Sequence, residues 1–255
     1  NTTGAYNVGI GRNSLLSLTS GFSNVAIGFE SMYNTTGSAN IGIGFHTLYS
    51  NTTGNDNVAV GYDTMYLNTT GNENTAVGSY ALRSNTTGYY NSGFGRFSMQ
   101  QNTTGASNTA LGYASLRDNC TGNDNVAVGS ASLILNSVGN NNVAVGNGAL
   151  LSNTANNNTA VGHNASRSNT TGVHNSSFGI YSLFYNTTGY DNVSIGAFSM
   201  LENTTGQSNV GVGNSALRNG VVANNNTGVG FDVLFNNTAN NNTAIGSRAM
   251  YLNTT

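Results

Sequence analysis

The chain has 255 residues, of which 7 are basic and 9 acidic, giving a net charge of -2 and 6% charged residues, where a soluble domain ordinarily carries about 25%. It holds 46 Asn, 31 Thr and 34 Gly and no Lys, Pro or Trp, so amides and hydroxyls meet water where charges usually do. This excludes an electrostatic footprint for nucleic acid or anionic membrane; no apolar run approaches the roughly 18 residues of a bilayer span, and one Cys cannot close an intrachain disulfide.

From Asn1 onward the chain divides into fifteen consecutive units, twelve of 17 residues and three of 16, ending in the stub Asn253, Thr254, Thr255. The short units are read as beginning at Leu18, Asn153 and Asn237. Residues 51–67, NTTGNDNVAVGYDTMYL, are representative, and positions are numbered 1 to 17 from the Asn of NTTG. NTTG reads as a turn. Position 7 is Asn in every unit: Asn7, Asn24, Asn40, Asn57, Asn74, Asn91, Asn108, Asn125, Asn142, Asn158, Asn175, Asn192, Asn209, Asn226 and Asn242. Positions 7 to 11, as in Asn57-Val58-Ala59-Val60-Gly61, alternate larger apolar with small residues and predict a short strand. Positions 8 and 10 then share one face, and position 9, always Ala, Gly or Ser, lies on the other, where a second surface can approach closely. Position 11 is always Gly, suited to a positive φ or a tight corner: Gly11, Gly28, Gly44, Gly61, Gly78, Gly95, Gly112, Gly129, Gly146, Gly162, Gly179, Gly196, Gly213, Gly230 and Gly246. Position 15 is Leu or Met except at Ser166.

A unit with about three apolar side chains cannot bury a core alone, so units must stack, each adding a rung to the one before. The predicted fold is all-β: a parallel β-solenoid of about 15 coils of 16–17 residues, one continuous body over residues 1–255. Identical residues then fall above one another at about 4.8 Å, and the position-7 column becomes an amide ladder, each side chain donating to one neighbour and accepting from the other. Aromatics collect at positions 12, 13 and 16 (Phe29, Phe45, Tyr62, Tyr113, Phe184, Phe231, Tyr251), from which one lateral face is expected to be buried against other chains. The chain starts and stops in phase without atypical caps, so the rod is expected to continue in a longer fibre or to stack on further subunits.

The segments Asn24-Val25-Ala26-Ile27-Gly28, Asn57-Val58-Ala59-Val60-Gly61 and Asn192-Val193-Ser194-Ile195-Gly196, each followed later in the unit by Leu or Met, resemble the head repeats of trimeric autotransporter adhesins. The NTTG-type units are also similar to repeats of phage and bacterial tail-fibre-like proteins. The resemblance spans the whole chain and implies a left-handed β-roll, often trimeric, displayed outside a cell or on a virion as a spacer or adhesive surface. The departure is the period, which is longer here because NTTG adds a wider turn.

Chemistry is sparse. Asp56, Asp124, Asp191 and Glu73 fall near the NTTG turn and Glu30, Asp63 and Asp232 after the Gly, so no pair is forced into the proximity that glycoside hydrolysis needs. His46, His163 and His174 occupy different positions and form no stacked metal site. Cys120 replaces a Thr and reads as a tolerated substitution. Gly54-Asn55-Asp56 resembles calcium-binding turns, but such turns need Asp in successive coils. Asn-x-Thr sequons begin at Asn1, Asn34, Asn51, Asn68, Asn85, Asn102, Asn169, Asn186, Asn203 and Asn253, with Asn119 a variant, all on the predicted turn where a sugar would remain exposed. The expected protein is a non-enzymatic extracellular fibre, filament or adhesin-type spacer on a cell or virion surface. It needs no cofactor or metal, associates with itself as a trimer or filament, and carries glycans. Two alternatives follow: a carbohydrate-binding or carbohydrate-cleaving tail-fibre segment for host recognition, favoured by clustered carboxylates in a groove, and an ice-binding solenoid, favoured by a flat Thr face.

Overall fold

The computed structural model describes residues 3–254. Short β-branched triplets flanked by Asn and Gly cannot extend into long strands, and each coil accordingly contributes one three-residue strand at positions 8 to 10. The remainder of the described residues is turns, bends and irregular backbone, and no helix occurs among them. The chain is a parallel β-solenoid, and its contacts divide it into two compact units, Asn1–Asn125 and Val126–Thr255.

In the first unit, β1 (Val8–Ile10), β2 (Val25–Ile27), β3 (Ile41–Ile43), β4 (Val58–Val60), β5 (Thr75–Val77), β6 (Ser92–Phe94) and β7 (Thr109–Leu111) lie side by side in chain order. Pairing is parallel and in register with the repeat, for example Val58 with Thr75, Ala59 with Ala76 and Val60 with Val77. The second unit repeats the pattern with β8 (Val126–Val128), β9 (Val143–Val145), β10 (Thr159–Val161), β11 (Ser176–Phe178), β12 (Val193–Ile195), β13 (Val210–Val212), β14 (Thr227–Val229) and β16 (Thr243–Ile245). A separate short pair joins β15 (Asn236–Asn237) to β17 (Leu252–Asn253).

The small residue at position 9 points inward. Ala26, Ala59, Ala76 and Ala110 are fully buried, opposite the position-15 side chains Met32, Leu48, Met65, Leu82, Met99 and Leu116. The opposed surface limits position 9 to small residues: a Cβ on Gly42 would come within 3.1 Å of the Met32 terminal methyl and 2.8 Å of the Ser31 hydroxyl. The apolar side chains at positions 8 and 10 point outward instead.

Three corners per coil use left-handed backbone, at non-glycine residues everywhere but Gly148, as at Glu73 (φ 54°), Tyr80 (φ 62°) and Leu82 (φ 48°). Such a conformation costs roughly 1 kcal/mol per residue, and here each is held by an amide bonded to another coil. The Glu73 N–H donates to the Asn55 carbonyl at 3.0 Å and the Tyr80 N–H to Tyr62 at 2.8 Å in the preceding coil, while the Leu82 N–H donates to Ser98 at 2.9 Å in the following one. The position-11 glycines take φ between +121° and +142°, and a Cβ on Gly78 would meet the Gly95 carbonyl carbon at 2.7 Å.

One unit boundary is corrected. The Thr35 N–H donates to the Met32 carbonyl as the Asn51 N–H does to Leu48, and the Thr35 hydroxyl accepts from Asn51 Nδ2 at 3.1 Å. Thr35 therefore occupies position 1 and Asn34 closes the coil before it. All three short coils, residues 35–50, 153–168 and 237–252, lose their residue between positions 1 and 7, where the turn is wide enough to be trimmed without disturbing the strand.

Candidate functional site

Two amide ladders run inside the coils. At position 7, Asn74 Nδ2 donates to Asn57 Oδ1 at 3.1 Å and to the Gly88 carbonyl at 2.8 Å, and its backbone N–H reaches the same Asn57 oxygen at 3.0 Å. Asn91 repeats all three bonds one coil on, with Asn74 and Gly105. The second ladder stands at position 1: Asn85 Nδ2 donates to Asn68 Oδ1 at 2.7 Å and to Gly88 at 3.0 Å. The Gly88 carbonyl thus takes a proton from each ladder and ties them together. A Cβ there would sit 2.4 Å from Asn85 Oδ1, which is why position 4 of these coils is Gly. Where position 1 is itself Gly, at Gly220, position 4 is Ala223.

The expectation of sugar-accessible sequons is corrected. Asn51, Asn68, Asn85, Asn102, Asn119, Asn169, Asn186 and Asn203 are all buried in the position-1 ladder, each with Nδ2 hydrogen-bonded. A glycan on that nitrogen would remove a donor and has no room inside the coil. Asn34 is half-buried at the end of its coil, Asn253 donates to Asn237 Oδ1 at 2.7 Å, and Asn1 lies outside the described residues. The threonines divide. Position-2 hydroxyls donate to the next coil's carbonyl, as Thr69 does to Thr86 at 2.9 Å, whereas the position-3 threonines Thr53, Thr70, Thr87 and Thr104 are exposed.

The charged residues are less scattered than their positions in the sequence suggest. Glu30, His46 and Asp63 share position 13 in consecutive coils, with His46 Nε2 3.3 Å from Glu30 and Nδ1 3.4 Å from Asp63, and Arg83 3.7 Å beyond on Asp63. The shared position was the available signal: each of the three stands two residues after the fixed Gly of its unit, Gly28, Gly44 and Gly61. Ring columns flank this row: Phe29, Phe45 and Tyr62 stack at 5.2 and 5.0 Å, and Tyr33, Tyr49 and Tyr66 at 5.1 Å each. Burial, then the nearby Glu30, hold the Tyr49 phenol above its ordinary value; Asp63, then desolvation, do so for Tyr62. In the second unit His174 Nδ1 lies 3.3 Å from Asp191. The Cys120 thiol donates to the Asp118 carbonyl at 3.6 Å. Among the described residues no group of three His, Cys, Asp or Glu is placed to hold a metal ion.

The most extensive candidate surface is the outer face of the strands. In the first unit Val8 and Ile41 at position 8 and Ile10, Ile43, Val77, Phe94 and Leu111 at position 10 stand exposed, and in the second Phe178, Ile195, Val229 and Ile245 stand exposed in the position-10 column. Parallel sheets are ordinarily covered on both faces, and a contiguous apolar patch marks an interaction surface. No family model, curated protein or solved structure matches the chain.

Proposed function

We propose that this chain is a non-enzymatic structural element of an extracellular fibre or adhesin-type spacer, on a cell or virion surface, that associates laterally with further copies of itself. The observation that carries the reading is the outward apolar strand face. In the first unit the position-10 column is apolar in all seven strands, from Ile10 to Leu111, and Val8, Val25, Ile41 and Val58 extend it at position 8; several of these side chains are about two-fifths exposed. A second copy has the same rise per coil, so its ridges meet these grooves at every coil, whereas a partner without the repeat drifts out of step.

The trimeric adhesin heads and tail-fibre repeats that the sequence resembles fit the same reading. Ice binding is less well supported, because the position-2 hydroxyls are spent on carbonyls and the outward strand columns mix Thr with Val, Ser and Ile.

The test is sedimentation velocity and negative-stain electron microscopy of the purified chain and of an Ile43→Lys, Val77→Lys double variant. The wild type is expected to form defined oligomers or filaments, and the variant to remain monomeric with unchanged circular dichroism. A monomeric wild type, or a variant that assembles equally well, overturns the proposal.

A further inference from the structure

A run of backbone-to-side-chain bonds lines the turn of the first unit at position 5. The Phe22 N–H donates to the Ser38 hydroxyl at 3.1 Å, the Ser38 N–H to Asn55 Oδ1 at 2.8 Å, and the Asn55 N–H to Asn72 Oδ1 at 2.8 Å. The run stops at Tyr89, whose side chain has no acceptor close to the backbone. Among the described residues, the Asn72 backbone N–H and its Nδ2 then have no acceptor, and unpaired amide donors are uncommon unless water or a ligand takes them.

The interruption opens a notch of about 440 Å³ lined by Asn55, Asp56, Asn72, Glu73, Tyr89 and Tyr90. The two tyrosine rings stand nearly perpendicular, at 78° and 5.2 Å between centroids, and each is about half exposed. Asp56 and Glu73 occupy position 6 of adjacent coils, are exposed, and make no ion pair among the described residues. Where Val173 follows Asn156, a valine stands in place of Tyr89 and His174 in place of Tyr90.

We propose that this notch binds a neutral hexose unit of a glycan. A pyranose has an apolar C–H face for a tyrosine ring and hydroxyls that both donate and accept. The ring packs on Tyr89, hydroxyl protons go to the Asp56 and Glu73 carboxylates, and a sugar oxygen accepts from Asn72. The carboxylates disfavour an acidic sugar. A metal cation would leave the tyrosines unused and face the positive ends of the Asn72 N–H bonds. The site stands on one chain, so it is independent of lateral assembly.

Methyl glycosides of glucose, galactose, mannose and N-acetylglucosamine, titrated into the isotopically labelled chain and followed by saturation transfer and amide shifts, test it. At least one is expected to bind with Kd on the order of 1 mM, with shifts centred on Asn72 and Tyr89. The decisive variant is Tyr89→Asn, which removes the wall and restores the amide run with a residue that other coils carry at this position. It is expected to fold as the wild type does and to weaken binding at least about tenfold; Glu73→Gln weakens it less. Binding of none of the four, undiminished binding to Tyr89→Asn, or shifts at the notch from calcium chloride with none from any glycoside, would each overturn the proposal.

Discussion

Asn74 shows what the repeat demands of one side chain. Its oxygen accepts from the Asn91 backbone and side chain, and its nitrogen donates backwards to Asn57 and forwards to Gly88. Only a primary amide on a one-carbon stem does all of this. Leu has no polar atom and Met only a weakly accepting thioether, Gln has a longer stem, and Asp cannot donate when ionised. Asn74→Ala leaves the Asn91 N–H without its acceptor and the Gly88 carbonyl with one donor fewer, and should cost about 3 kcal/mol in urea unfolding. Asn74→Asp should cost more at neutral pH, because a carboxylate then faces the Asn57 oxygen and the Gly88 carbonyl with no proton to give. An Asp variant as stable as the wild type would contradict the ladder.

At the scale of the coil, left-handed corners and stacked rings depend on the neighbouring coils. Tyr49 and Tyr62 sit in ring columns beside Glu30 and Asp63, and both phenols hold their protons more tightly than a free tyrosine, whose ordinary value is 10.0. Above that value the unfolded chain releases protons that the folded chain keeps, so stability falls as pH rises through and beyond it; below it nothing is lost. The thermal midpoint should drop as pH rises above about 10, and Tyr49→Phe with Tyr62→Phe should shrink the drop. An unchanged slope in the double variant would remove these phenols from the account.

For the molecule as a whole, stability is a sum over coils and their contacts with adjacent coils. Gly78→Ala places a methyl against Gly95 at a φ of +131°, a strain of about 3 kcal/mol. Amide exchange should quicken roughly a hundredfold at Gly61, Gly78 and Gly95 while Gly28 keeps its protection. Uniform loss across the first unit would mean that its coils open as one block. The lateral strand face also belongs to this scale, since its apolar columns become continuous only once coils are stacked.

Much of this architecture was legible in the order of residues. A fixed Asn and a fixed Gly four apart, recurring in every unit, set the period; the alternation between them set the strand; and the lack of apolar content in any one unit required stacking. Glycine at position 11 was readable for the same reason, because a corner repeated in every coil leaves one residue type. What the order of residues left undecided is which way each side chain points. Alternation separates positions 8 and 10 from position 9 without saying which face is enclosed, and only the coil's closure, bringing Met32 against Gly42, turns the small side in. NTTG reads equally as an exposed turn and as the end of a ladder, since Asn suits both; the Gly88 carbonyl, reached from two coils, decides it. The Glu30, His46 and Asp63 row and the Tyr89 notch arise from residues one coil apart in space and 16 or 17 apart in the chain. Periodicity is a local property that a sequence carries openly, whereas inside and outside exist only once the chain has closed on itself.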